Sequence, residues 1–104
     1  MILTLTLNSA LDQVLVVDRF ISGSDLPARE AVWCVGGKGL DASVALRGLG
    51  AATTGLTLLG GDNGRKLLAI LGSYGILPVP VWVVGEKRVC TVIAETETGA
   101  VTHI

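Results

Sequence analysis

GGKGLDASVALRGLGAATTGLTLLGG, residues 36–61, runs from a glycine-rich loop through a helix into a strand. Ala42, Ala45, Leu46 and Leu49 recur at i, i+3, i+4 and i+7, which predicts one helical stripe facing a core. Gly50 supplies the stop, because glycine readily takes the left-handed conformation that ends a helix. Thr53 to Leu59 then carries apolar residues at both parities, the pattern of a central parallel strand covered on both faces. Gly60-Gly61-Asp62 closes that strand, with Asp62 the expected N-cap of a second helix. That helix repeats the spacing at Leu67, Ile70, Leu71 and Tyr74. Gly75 is its expected C-terminal cap, and Ile76 its apolar partner. Strands alternating with helices imply an α/β fold with a parallel sheet and right-handed crossovers.

Outward from this run the pattern changes. Ile2 to Leu7 alternates Leu with Ile or Thr and predicts a strand; Asn8 to Asp12 is expected to leave it as a loop. Val14–Val17 and Glu30–Val35 predict two more strands, separated by the turn-rich Gly23-Ser24-Asp25-Leu26-Pro27. Beyond the second helix, Val79–Val84 reads as an edge strand because Pro80 cannot donate to a ladder. Arg88–Glu95 and Val101–Ile104 flank the turn Thr96-Glu97-Thr98-Gly99. These outer strands do not alternate with helices as the inner run does, so they predict a second, smaller antiparallel layer near 13–17, 30–35, 88–95 and 100–104.

At 104 residues the chain is long enough for one domain and too short for two. It is 50% hydrophobic and only 16% charged, where about 25% is usual, with a mean hydropathy of +0.64. This excludes disorder, which needs low hydrophobicity and high net charge. The net charge of -1 gives no basic footprint for nucleic acid. Residues 67–85 are uncharged over a length that could span a bilayer, but Gly72, Gly75, Pro78 and Pro80 break them into a helix and a strand. No membrane partner is expected. Met1 to Thr6 lacks the basic start of a signal peptide. Cys34 and Cys90 have no metal spacing and are expected as two buried thiols of a cytoplasmic protein.

Ligands of open α/β sheets bind at the carboxyl ends of strands, and two such ends carry chemistry. The first is Asn8 to Asp12, where Asp12 has the acceptor oxygens that sugar hydroxyls need. The second is Gly36-Gly37-Lys38-Gly39-Leu40-Asp41. Its glycines admit a ligand to the backbone, its helix start attracts anions, and Lys38 adds a point charge. Arg88, at the head of an apolar strand, is either a strand-end charge or a phosphate clamp. Gly37-Lys38-Gly39-Leu40-Asp41-Ala42 also fits the dinucleotide fingerprint G-x-G-x-x-A, with Asp62 near the place of a ribose-binding acid. His103 stands alone, no nucleophilic triad can be assembled, and no metal site is predicted.

Four segments together resemble the PfkB/ribokinase family of sugar kinases, and within it the 1-phosphofructokinase and tagatose-6-phosphate kinase branch. Leu5-Thr6-Leu7-Asn8-Ser9-Ala10-Leu11-Asp12 is similar to the family's opening N-P-A-L-D. Gly36 to Asp41 is similar to G-G-K-G-x-N, Leu58 to Gly64 to L-G-G-D-x-G, and Lys87 to Val92 to the T-R-x-N strand start. The order and spacing also match, across nearly the whole chain. The resemblance implies the N-terminal, substrate-binding portion of a ribokinase-like α/β sandwich with a small β-sheet lid. It implies phosphoryl transfer from ATP to a hydroxyl of a sugar phosphate. By the same resemblance Asp12 accepts from sugar hydroxyls and Gly36 and Gly37 present backbone N–H groups. Lys38 and Arg88 hold the substrate phosphate, and Asp41 stands where the family has an Asn. ATP and Mg2+ are the implied cofactors of the full-length enzyme, and none is expected on this chain alone. Ser9 replaces a Pro, a change expected only to free the backbone. The family's G-A-G-D segment, with the catalytic base and the nucleotide site, has no counterpart in residues 1–104. The isolated chain is therefore expected to be inactive, and no catalytic residue is assigned within it. Two other expectations stand beside this one: a dinucleotide-binding module of an oxidoreductase, and a non-catalytic fragment that assembles through its β layer. A homodimer through the lid strands is a further expectation. Which sugar phosphate is bound is not decided by any one residue.

Overall fold

Alternating Leu and Thr along Ile2–Thr6 form β1, a short strand that pairs in parallel with β4 (Thr53–Leu59) in the register Ile2↔Thr53 to Thr6↔Thr57. A computed structural model describes all of residues 1–104. The remaining elements are β2 (Ala10–Val17), β3 (Glu30–Gly36), α1 (Lys38–Gly48), α2 (Gly61–Ser73), β5 (Leu77–Trp82), β6 (Val89–Glu95) and β7 (Val101–His103). They build two sheets. One is the three-stranded parallel sheet β1-β4-β5, and the other is the four-stranded sheet β3-β2-β6-β7.

In the first sheet β4 is central, as its double-sided apolar pattern requires, and β5 is an edge. Pro78 and Pro80 pair with Gly55 and Thr57 at positions whose missing N–H groups point away from β4. Both helices lie on one face of this sheet. Leu40 of α1, Leu67 and Leu71 of α2, Leu59, Ile76 and Val35 form the buried core there. The opposite face is uncovered: Leu3, Leu5, Leu77, Val79 and Val81 are all exposed. No helix is long and apolar enough to cross a membrane.

The second sheet is mixed, not antiparallel as expected. β2 runs antiparallel to β3 but parallel to β6, and β6 antiparallel to β7. The chain between β2 and β6 passes through the whole helical layer, and a crossover of that length permits parallel pairing. β2 also begins at Ala10, inside the segment expected to be a loop. Ala10 and Leu11 are buried, and the Leu11 N–H donates to the Arg88 carbonyl at 3.0 Å.

The α1 stripe is corrected as well. Its inward residues are Leu40, Ser43 and Val44, whereas Ala42 and Ala45 are exposed and Leu49 is 85% exposed. α1 lies over Thr4 and Gly55, a polar and narrow seat that takes a small hydroxyl residue. There Ser43 Oγ and Thr4 Oγ1 share a hydrogen bond of 2.6 Å. A hydroxyl satisfied in this way buries without the penalty of an unpaired group. In α2 the N-cap is Gly60, not Asp62. Asp62 already lies in the first turn, where its charge suits the helix dipole, and it pairs with Arg65 at 2.8 Å. Leu67 and Leu71 are buried as expected, but Tyr74 is 42% exposed. At the C-terminus Gly75 takes φ +75° and donates to the Gly72 carbonyl, while the Ile76 N–H reaches the Leu71 carbonyl. This is the double bond pattern that satisfies the last orphan carbonyls, sealed by Ile76 packing in the core.

Candidate functional site

The two sheets meet where the carboxyl end of β1 faces the N-terminus of α1. Leu5, Thr6, Leu7, Asn8, Gly37, Lys38, Gly39, Asp41 and Arg88 line a cleft of about 420 Å3 there. Such a volume suits a small polar metabolite. Its floor is set by close backbone approach. Gly37 has φ +120°, and a Cβ there would lie 2.7 Å from Thr6 Cγ2. A Cβ on Gly39 would strike Thr6 Oγ1 and the Leu5 carbonyl, so this pair of glycines lets α1 start directly on β1. Lys38 is the first residue of α1, so its ammonium stands at the helix end that favours anions.

Arg88 closes the other side. Its Nε donates to Asn8 Oδ1 at 3.2 Å, Nη2 to the Asn8 carbonyl at 3.3 Å, and Nη1 to Cys90 Sγ at 2.9 Å. Asp12 and Gly36 lie beside the cleft and not in its wall, with the Asp12 carboxylate packed directly on Gly36. Burial pushes the Asp12 carboxyl above its ordinary value, while Arg88 and then His103 pull it back. Asp41 is raised by burial first and by the neighbouring Asp12 charge second. The site thus combines two cations and a helix N-terminus with two carboxylates reluctant to ionise. That combination can hold an anion at one end of a molecule and hydroxyls at the other.

Four of the six predicted site residues, Gly37, Lys38, Asp41 and Arg88, line the cleft together. Asn8 was missed as a site residue, although it orients Arg88 with both its amide and its carbonyl. Its signal was its place just beyond the carboxyl end of β1. Ser9 does more than free the backbone: it is fully buried, and its hydroxyl donates to the Leu58 carbonyl at 3.0 Å, tying this turn to β4. The cysteines are half-buried rather than buried. Cys34 and Cys90 flank Asp12 in register across three strands of the lid, and burial followed by the Asp12 charge raises the Cys34 thiol. The dinucleotide reading is overturned by topology. The strand before Gly37 belongs to the lid and runs antiparallel to β2, so no βαβ unit of one sheet surrounds the glycines. Asp62, its supposed ribose acid, is exposed and paired with Arg65. No three His, Cys, Asp or Glu side chains are grouped so as to hold a metal ion.

No protein-family model matches the chain. Among curated proteins it is 40% identical over 76 residues to the 1-phosphofructokinase of Borreliella burgdorferi, covering 73% of this chain and 25% of that protein. It is 32% identical over 89 residues to the D-tagatose-1-phosphate kinase of Klebsiella oxytoca, covering 86% of this chain and 29% of that one. Among solved structures, that of a possible 1-phosphofructokinase from Thermotoga maritima superposes with a TM-score of 0.91 at 30% identity. The match covers 100% of this chain and 34% of that one. The chain therefore spans between a quarter and a third of the length of the proteins it matches.

Proposed function

The chain belongs to the PfkB/ribokinase family of sugar kinases, and from that premise we propose that its cleft is the sugar-phosphate site of an ATP-dependent, 1-phosphofructokinase-like kinase. The observation that carries this reading is Lys38 at the α1 N-terminus facing Arg88 across one cleft, with Asp41 in its wall and Asp12 at its rim. In this assignment Lys38 and Arg88 hold the phosphate, and the backbone N–H groups at Gly36 and Gly37 meet the sugar. Asp12 accepts from a hydroxyl, and Asp41 faces the same molecule. Both curated relatives are named for kinases of ketose 1-phosphates, which makes fructose 1-phosphate the first ligand to test.

In the reaction proposed for the full protein, a sugar hydroxyl attacks the γ-phosphorus of ATP, the bond to ADP breaks, and a base takes the hydroxyl proton. Positioning and charge neutralisation supply most of the catalysis in such transfers, and the residues described here do the positioning of the acceptor. We assign the base, the nucleotide and Mg2+ to residues outside 1–104. The side chains present offer no ligand set for the metal, and no step is derived through it. We also assign the protein to the cytoplasm, where its free thiols Cys34 and Cys90 fit a reducing environment. Two copies are proposed to meet through the lid sheet, on the face bearing Val14, Val32, Val92 and Val101. With contacts through the uncovered face of β1-β4-β5 removed by Leu5→Glu/Val79→Glu, a concentration-dependent dimer in sedimentation, lost on adding Val32→Glu, is the expected outcome.

The test of the main reading is calorimetric titration with fructose 1-phosphate and with fructose. Arg88→Ala is expected to weaken the phosphorylated sugar at least about tenfold, the scale of a charge-assisted hydrogen bond, and to leave fructose unchanged. Equal binding of both sugars by the wild-type chain sinks the assignment. With ATP and fructose 1-phosphate, the 104-residue chain alone is expected to show no turnover.

A further inference from the structure

Arg88 is a long, exposed side chain, and its bonds to Asn8 are the long ones of 3.2 and 3.3 Å. Where its guanidinium reaches therefore depends on where its backbone enters the cleft. That backbone is strapped to the start of α2. The Val83 N–H donates to the Leu59 carbonyl at 2.8 Å, and the Lys87 N–H to the Gly60 carbonyl at 3.1 Å. Asn63, in the first turn of α2 and partly buried, works in both directions. Its side-chain Nδ2 donates to the Lys87 carbonyl at 3.0 Å, and its backbone N–H donates to Glu86 Oε1 at 2.6 Å. The Glu86 carboxylate packs on Gly61, where any Cβ would strike it. It thereby caps one open N–H of a helix whose N-cap residue makes no side-chain cap of its own. Immediately after the strap, the Arg88 carbonyl is taken by the Leu11 N–H.

We propose that Asn63 is a positioning residue for Arg88: together with Glu86 it fixes the 86–88 backbone on α2 and so sets the grip of Arg88 on an anionic ligand. This inference rests on the reading of the cleft as a sugar-phosphate site. It joins a part of the chain outside the cleft, the Gly60–Gly64 start of α2, to the function of a cleft residue.

Asn63→Ala removes the side-chain bond to Lys87 and touches nothing in the cleft. It is expected to weaken fructose 1-phosphate about tenfold while leaving fructose unchanged, and to have no further effect in an Arg88→Ala background. A purely structural role would weaken both sugars or persist without Arg88, and either result overturns the proposal. The Arg88 Nε–H resonance in 15N-resolved NMR gives a readout without ligand. It is expected to move towards its free-peptide position in Asn63→Ala, and an unmoved resonance overturns the proposal. If the wild-type chain binds neither sugar, the substrate reading fails and this resonance alone decides the positioning role. If Asn63→Ala does not fold, Glu86→Gln carries the same test. It keeps the size and one acceptor but loses the charge, so a smaller shift of the same sign supports the proposal and none refutes it.

Discussion

At Asp41 two carboxylates fall within electrostatic reach of each other, in a cleft that must also attract a phosphate if the proposed function holds. Asp41→Asn removes one negative charge and restores an amide donor. Affinity for fructose 1-phosphate is expected to rise roughly threefold to tenfold in calorimetry, most clearly at low salt. The same residues set a pH dependence. Asp12 and Asp41 both have raised carboxyls in the folded chain, so the folded state holds their protons more tightly than the unfolded one. Their stabilising contribution is complete below the ordinary aspartate value of about 4, and is lost as pH rises through their elevated values. Denaturant midpoints are expected to fall across that window, and the fall is expected to flatten in Asp12→Asn/Asp41→Asn. Much of the cleft was legible because charge is rare in this chain: Lys38 and Asp41 stand out in a glycine-rich helix start, and Arg88 at the head of an apolar strand. Asn8 and Ser9 were harder to read. A neutral polar residue at a strand end looks like turn chemistry until its partner, 80 residues away in the case of Arg88, is brought beside it.

Among the elements, α2 was the most readable, because Leu67 and Leu71 are buried at the spacing that predicts its core stripe, whereas in β4 the threonines are buried more deeply than Leu56 and Leu58. Leu71 is fully buried at the point where the Ile76 cap closes the helix. Leu71→Ala is expected to cost about 2–5 kcal/mol in chemical denaturation, the usual range for a buried leucine. α1 was misread because hydrophobicity alone turns Ser43 outward. The Thr4 hydroxyl that receives it belongs to a strand 39 residues earlier, which no local period can reveal. The start of α1 is equally dependent on β1. Gly37→Ala meets both an unfavourable φ and Thr6 Cγ2, and is expected to destabilise by more than about 1 kcal/mol in the same assay. The lid misreading has a similar origin. Strand direction depends on the path between strands, and the path from β2 to β6 runs through the whole helical layer.

For the molecule as a whole, the radius of gyration is 15.0 Å, where a compact domain of this length has about 13 Å. One dimension is only 18 Å, little more than a helix layer on a sheet. The excess apolarity seen in the composition lies on the uncovered side, where Leu3, Leu5, Leu77, Val79 and Val81 form a continuous exposed surface. The chain by itself is expected to associate at micromolar concentration in sedimentation velocity. Leu5→Glu combined with Val79→Glu is expected to leave only the dimer proposed for the lid sheet, and a wild-type chain that assembles no further than that dimer would refute this account.

The two prolines of β5 give this sheet a direction of growth. Pro78 and Pro80 present carbonyls but no donors on the outward rim, so an incoming backbone finds half of its ladder missing there. β1 has no such block. Its free side keeps alternating donors and acceptors along all of Ile2–Thr6. Any additional strand, from the same polypeptide or another, is therefore recruited beside β1, the strand whose carboxyl end already borders the cleft. The sheet is terminated on one side and extensible on the other, and whatever extends it arrives next to the cleft.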